Sequence, residues 1–175
     1  MFERYSITLD QAERQYLLKK STNGATRSTT EHGCLDILND CPKTLASVRE
    51  CLDLYVEKPE RFNFYLVKSW GTFLPKDGMG ETVVHNHAYA HLSFVIYLQK
   101  DEKGGNPIFV ENNIRKPFHV EEGQLIIFPA WVPHCIEPNE STTQRYSVAG
   151  DILMVLKDQY ADVNFLTPVE TWLCL

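Results

Sequence analysis

The sequence predicts a mostly β protein, a small barrel behind a helical N-terminal third. Three observations carry that reading. From residue 62 onward, apolar runs of strand length recur at intervals of about 8–12 residues, separated by Gly, Pro and Asn. The hydrophobic period changes at Lys58-Pro59-Glu60 from helical to alternating. Two histidine clusters, His85-Asn86-His87 and Pro133-His134, stand at the ends of such runs.

The chain has 175 residues, 43% of them hydrophobic, which suffices for one real core. A single domain is expected, with helical support over about residues 1–60 and a barrel core over about 61–166. The net charge of -6, with 17 Lys and Arg in no cluster, argues against nucleic acid or an anionic lipid surface as partner. The five cysteines (Cys34, Cys41, Cys51, Cys135, Cys174) are odd in number and share no C-x-x-C spacing, so neither a disulfide framework nor a zinc knuckle is expected. No apolar run approaches the roughly 20 residues of a membrane span, and residues 1–20 lack a signal-peptide core. A cytoplasmic location fits.

The elements follow in order. A surface helix over the first 20 residues is capped by Asp10, with Glu13 completing a D-x-x-E capping box. Residues 21–33 are polar and rich in Gly and Thr, a loop. A second helix spans 42–57, with Pro42 at its first position and Leu45, Val48, Leu52 and Tyr55 along one face. Cys51 adjoins that face as a small core residue. Strands are expected at 62–67, continued by 69–73, and at 82–86, 92–99, 107–111, 118–120, 124–128, 135–137, 145–156 and 164–166. The run at 92–99 is apolar on both faces. The C-terminal Thr167-Pro168-Val169-Glu170-Thr171-Trp172 reads either as a short capped helix or as an extended strap.

His85 and His87 are two apart, so on a strand they share a face, and two neutral imidazoles are the natural half of a site for a first-row metal. His134 follows a glycine turn, an apolar strand and a proline-broken corner, the arrangement by which a rigid scaffold presents a ligand. Farther on, Arg145 and Ser147 alternate with Tyr146 and Val148. If their shared face points inward, the buried arginine needs an anion, and no acid lies two residues either side of it. A small-molecule carboxylate, held bidentately, would serve.

The order H-x-H, Leu92-Ser93-Phe94-Val95-Ile96-Tyr97-Leu98, G-x-L-x-x-F-P-x-W-x-P-H and R-x-S resembles the iron(II)- and 2-oxoglutarate-dependent oxygenases. It is most similar to a branch of small bacterial and phage proteins whose pattern runs H-x-H-x5-S, Y-Y-L, F-P-S, H, R-x-S. The match covers about residues 68–155. The resemblance implies a double-stranded β-helix, a jelly-roll or cupin-like barrel, with N-terminal helices packed on one sheet. It implies Fe(II) at the open end, with His85 as first ligand and His134 as the distal one. His87 stands where the superfamily has Asp or Glu. Either His87 binds and the set is three imidazoles, or water or an acid such as Glu81, Glu111 or Asp151 completes it. Arg145 and Ser147 match the residues that hold the distal carboxylate of 2-oxoglutarate, and Tyr97 a tyrosine that joins them. The implied reaction consumes O2, decarboxylates 2-oxoglutarate to succinate and hydroxylates a small-molecule or peptide substrate.

Other residues take lesser places. His91, four residues after His87, is a strand-edge or pocket-lining group able to stand in for it. Trp131 either walls the pocket or caps the core, and Trp70 packs where it can also line the substrate side. Asp151 is placed to orient Arg145 or a ligand. Cys135 points to the core, and His32 and His119 to the surface. Specificity would come from the N-terminal helices and from loops at 71–81, 101–106 and 112–117. Two other readings stand beside this one. A cupin-type dioxygenase or isomerase would use no 2-oxoglutarate, and a non-catalytic barrel would bind a ligand or partner with its histidines incidental. A buried Arg145 separates the first reading from the plain cupin.

Overall fold

The structure is a computed structural model, and it describes residues 2–22, 35–76, 82–157 and 172–175. Two helices precede most of the strands: α1 (Gln11–Ser21) and α2 (Pro42–Tyr55). Nine strands follow the order β1 (Glu3–Ser6), β2 (Phe62–Leu74), β3 (Leu92–Gln99), β4 (Pro107–Glu111), β5 (Ile114–Pro117), β6 (Gln124–Pro129), β7 (His134–Ile136), β8 (Arg145–Leu156) and β9 (Leu173–Cys174). One antiparallel sheet has the order β1-β6-β3-β8-β2-β9 and faces a smaller one, β5-β4-β7. No helix among the described residues is long and apolar enough to cross a membrane.

The helices begin as the sequence predicts, with one exchange. Asp10 caps α1 by accepting the N–H groups of Ala12 and Glu13. Glu13 does not reach back to close the box. Its carboxylate accepts instead from the N–H groups of Lys43 and Thr44 and from the Thr44 hydroxyl, at 2.9, 2.7 and 2.7 Å. Cys41 precedes α2 and offers no side-chain cap, so the donors exposed at that helix start are satisfied from α1. The pairing docks one helix on the other.

Both helices cover one face of the large sheet. Leu17 of α1 and Val48 and Leu52 of α2 share a core with Phe64, Phe94, Ile96, Leu98, Leu125, Ile127 and Ile152. The opposite face of the same strands turns toward the small sheet, where Tyr97, Phe109, Ile126 and Phe128 form a second core. A central strand with protein on both faces has no polar side, which is why β3 reads as a continuous apolar run. Gly150 of β8 lies opposite Phe94 of β3, and a Cβ there would meet the Phe94 ring at 2.5 Å. The ring occupies the space that a side chain at Gly150 would need.

A β-bulge at Val67 reverses the parity of β2. Before it, Phe64 and Leu66 face the helices. After it, Trp70 and Thr72 line the barrel interior, although all four positions are even-numbered. A simple alternation carried through residues 62–74 therefore assigns Trp70 and its neighbours to the wrong face.

Other expectations shift in smaller ways. Residues 82–86 form a single bridge, His85 with His134, rather than a strand. The predicted strand at 118–120 is absent, and β5 stands a few residues earlier. The loop expected at 112–117 is a hairpin, turned by Asn112 and Asn113 at φ 51° and 63° and continued by β5. Residues 71–74 belong to β2 rather than to a loop. At the C-terminus, β9 pairs with β2. Of the loop expected at 21–33, Ser21 belongs to α1 instead, and residues 23–33, the short run at 164–166, most of the 167–172 segment, Cys34 and Glu81 lie outside the described residues, as does His32.

Candidate metal centre

Main-chain pairing brings the two histidine clusters together. His85 N–H donates to the His134 carbonyl and His134 N–H to the His85 carbonyl, at 3.0 and 2.8 Å. The Thr82 hydroxyl accepts from Ile136 N–H at 2.8 Å, and His87 N–H donates to the Ala130 carbonyl at 2.7 Å. The ligand segment thus lies along β7 and the turn before it, in which Val132 N–H donates to Pro129. This is the proline-broken corner that the sequence shows.

The three rings meet. His85, His87 and His134 each offer one nitrogen, and these atoms lie within 4.8 Å of one another. The far nitrogen of each ring is held. His85 Nδ1–H donates to the Val83 carbonyl and His134 Nδ1–H to the Val132 carbonyl, both at 2.9 Å. His87 Nδ1–H donates to the Asp151 carboxylate at 2.9 and 3.0 Å. Carbonyl and carboxylate oxygens only accept, so each ring carries its proton on Nδ1 and keeps its Nε2 lone pair. Nε2 of His87 is buried with no hydrogen-bond partner among the described residues. Three inward lone pairs, one of them orphaned, make a donor set that fits a first-row metal ion.

Loss of solvation, with the neighbouring His85 and His87, pulls His134 down to about 3, and desolvation lowers His85 as well. Trp70 stacks on His87 with ring centres 5.3 Å apart, and Phe128 meets His134 edge-on at 4.9 Å.

Asp151 is fully buried on β8. Besides His87 it accepts from Ser93 Oγ at 2.7 Å and from the Tyr89 hydroxyl, and Lys68 Nζ lies 3.3 Å away. Burial alone would push its carboxyl up. The hydrogen bond from His87, the charge of Lys68 and the Ser93 hydrogen bond outweigh it and hold the group below its ordinary value.

β8 carries the rest of the site on the same inward face. Arg145, Ser147 and Ala149 line a cavity together with the three histidines, Trp70, Thr72 and Tyr97. Arg145 is 1% exposed, and its Nε and Nη1 have no hydrogen-bond partner among the described residues. Its guanidinium lies 5.0 Å from the centre of the Tyr97 ring. The Ser147 and Thr72 hydroxyls are hydrogen-bonded at 2.5 Å. Val95, Phe109, Ile126, Phe128 and Ile136 give the cavity apolar walls.

Three sequence candidates fall elsewhere. Trp131 is 64% exposed and does not line the cavity, so it neither walls the pocket nor caps the core. His91 accepts the Met154 N–H on its Nδ1 at the strand edge and stands apart from the histidine trio. Glu111 pairs with Lys116 at 3.0 Å. Asp151, weighed as a possible third ligand, turns to His87 Nδ1 instead. His119 and Cys135 stand as expected, the first exposed and the second buried. Sequence reasoning assigned no role to Thr72, Lys68, Tyr89 or Ser93. The first two are hidden by the bulge at Val67, whereas Ser93 carries a signal in the H-x-H-x5-S spacing.

No family model and no curated protein matches the chain in sequence. Solved structures do match. The non-heme alpha ketoglutarate dependent epimerase SnoN from nogalamycin biosynthesis aligns with a TM-score of 0.66 at 13% identity, over 95% of this chain and 87% of that one. The carbocyclase SnoK from the same biosynthesis gives 0.64 at 11%, over 99% and 91%. A Pseudomonas putida prolyl-4-hydroxylase gives 0.56 at 14%, over 87% and 91%. The chain is a double-stranded β-helix. In this double-stranded β-helix the helices back the large sheet, and the histidines stand between the two sheets, where β7 meets the segment before β3.

Proposed function

We propose that the protein is a non-haem iron(II) oxygenase that consumes 2-oxoglutarate and O2 to oxidise a small-molecule or peptide substrate. His85, His87 and His134 would hold the iron. The observation that carries the reading is Arg145, a guanidinium 1% exposed with two unpartnered N–H positions, in the same cavity as the histidines. A buried cation with no acidic partner among the described residues costs several kcal/mol, so the site suits an anion. The distal carboxylate of 2-oxoglutarate would take that place. The structures of similar fold include SnoN in complex with Fe3+ and alpha ketoglutarate.

Bound iron would supply open coordination positions and the redox chemistry coupling decarboxylation of 2-oxoglutarate, to succinate and CO2, with oxidation of the substrate. The chain's own contributions are local. Arg145 binds the dicarboxylate and sets its direction along β8. The Ser147–Thr72 hydroxyl pair adds donors beside it. Val95, Phe109, Ile126 and Ile136 exclude water from the reacting end. Trp70 fixes one face of His87.

The test is uncoupled turnover. Fe(II)-loaded protein in air should release succinate from 2-oxoglutarate, with the rate falling at least 100-fold in His134→Ala. Arg145→Met should raise the 2-oxoglutarate requirement roughly 10- to 100-fold, the loss expected of two charge-assisted hydrogen bonds. The second reading, a cupin-type enzyme without 2-oxoglutarate, draws on the donor set itself, three imidazoles in place of two and a carboxylate. It would be favoured by iron-loaded protein that leaves 2-oxoglutarate intact.

A further inference from the structure

Three neutral imidazoles leave a divalent ion its full double charge, whereas a set with one carboxylate leaves it a single one. The missing carboxylate is close by. Asp151 lies directly behind His87, both its oxygens about the same distance from Nδ1, at 2.9 and 3.0 Å. His85 and His134 are backed only by the carbonyls of Val83 and Val132. The middle histidine alone is backed by a charge, and it occupies the position where the resemblance expects an acid.

The fold has built a cradle for that charge. Ser93 of β3 and Lys68 of β2 both stand in register with Asp151 of β8, so three neighbouring strands present their groups at one level. Ser93, Lys68, Tyr89 and His87 together saturate the carboxylate, which holds it ionised and fixed in direction. Trp70 lies against the face of the His87 ring, and only Nε2 is left unpartnered among the described residues.

We propose that Asp151 acts as the metal's carboxylate at one remove, fixing His87 and passing negative charge to the metal through the imidazole. This rests on the three-histidine centre proposed above. Asp151 is a positioning residue, because it touches a ligand and not the metal. A carboxylate accepting Nδ1–H makes the opposite nitrogen a stronger donor and locks the ring's direction, and losing such a partner typically weakens metal binding about 10- to 100-fold. Lys68, 3.3 Å from the carboxylate, makes its burial tolerable.

The experiment measures anaerobic Fe(II) affinity and the Fe(III)/Fe(II) potential of wild type, Asp151→Asn and the doubly neutral Lys68→Met/Asp151→Asn. Both variants should bind Fe(II) roughly 10- to 100-fold more weakly. The potential of Asp151→Asn should move positive, since the negative charge favouring the ferric ion is gone, and the double variant, which also loses the Lys68 charge, should move less. Where Asp151→Asn unfolds because Lys68 is stranded, the double variant decides. A folded double variant with wild-type Fe(II) affinity overturns the proposal while leaving the histidine centre intact. Folded wild type that binds no iron overturns the centre itself, and Asp151's role with it. A measurement on wild type needs no variant: in the Zn(II)-loaded protein, 15N NMR should show His87 metallated at Nε2 with a protected Nδ1–H. Metal on Nδ1, or a freely exchanging proton there, overturns the proposal.

Discussion

His134 carries the largest resolved perturbation among the site's imidazoles. Burial, with the neighbouring imidazoles, sets its pKa at about 3 against an ordinary value near 6.5. Between those values the unfolded chain binds a proton that the folded one does not, so stability is lost as pH falls from about 6.5 toward 3 and is flat above. Two units below the ordinary value, at about pH 4.5, the loss should reach roughly 2–3 kcal/mol. Asp151, held below its ordinary value, loses its own contribution only at lower pH still. Urea midpoints of the metal-free protein at pH 7 and 4.5 measure this, and His134→Gln should remove most of the difference. Equal midpoints for wild type would contradict it. At this scale much of the site was legible. The H-x-H pair, His134 after its proline corner, and Arg145 with Ser147 all line one cavity, because each is a polar residue inside or at the end of an apolar run. Lys68 and Tyr89 were not legible, since nothing local marks a lysine as buried beside an acid 83 residues away. Trp131 misled for the opposite reason. A tryptophan between prolines beside a ligand reads as a pocket wall, yet the turn at Pro129–Val132 swings it out to solvent.

Among elements, the start of α2 depends on a residue that is not in it. Glu13 replaces the missing cap at Cys41 with two main-chain acceptor contacts and one to the Thr44 hydroxyl. Glu13→Ala should cost about 1–2 kcal/mol, the range for loss of a cap with its favourable charge at a helix start. In a chain of this size that lowers Tm by roughly 2–8 °C, read from a thermal melt. An unchanged melt would mean that the helix start is satisfied by solvent. Helices and long strands were read nearly to the residue, α2 from its proline start and β3 and β8 from unbroken apolar runs. The failures are short edge elements. β1, β5 and β9 have two to four residues each, too few for a period to show, and β5 is exposed at every position. Residues 82–86 alternate like a strand but form only one bridge, because beyond His85 the chain turns inward to deliver His87. The bulge at Val67 is likewise invisible to periodicity, and it decides that Trp70 and Thr72 face the site.

For the whole molecule, two layers divide the labour. The helices shield the outer face of the large sheet, and the inner face is left for an apolar cavity with a cationic end and a three-imidazole end. β8 joins those ends, running from Arg145 through Ser147 and Ala149 to Asp151 on alternate positions, so anchor and metal centre share one rigid strand. The proposed function rests on that shared strand: the cavity would take a dicarboxylate lengthwise, one end on Arg145 and the other at a metal held by the histidines. Anaerobic titration of Fe(II)-loaded protein with 2-oxoglutarate tests it most directly. A weak visible charge-transfer band should rise and saturate at one equivalent, and Arg145→Ala should abolish it or demand at least tenfold more ligand. Stoichiometric iron without any such band in the wild type, or an identical titration in Arg145→Ala, would contradict it.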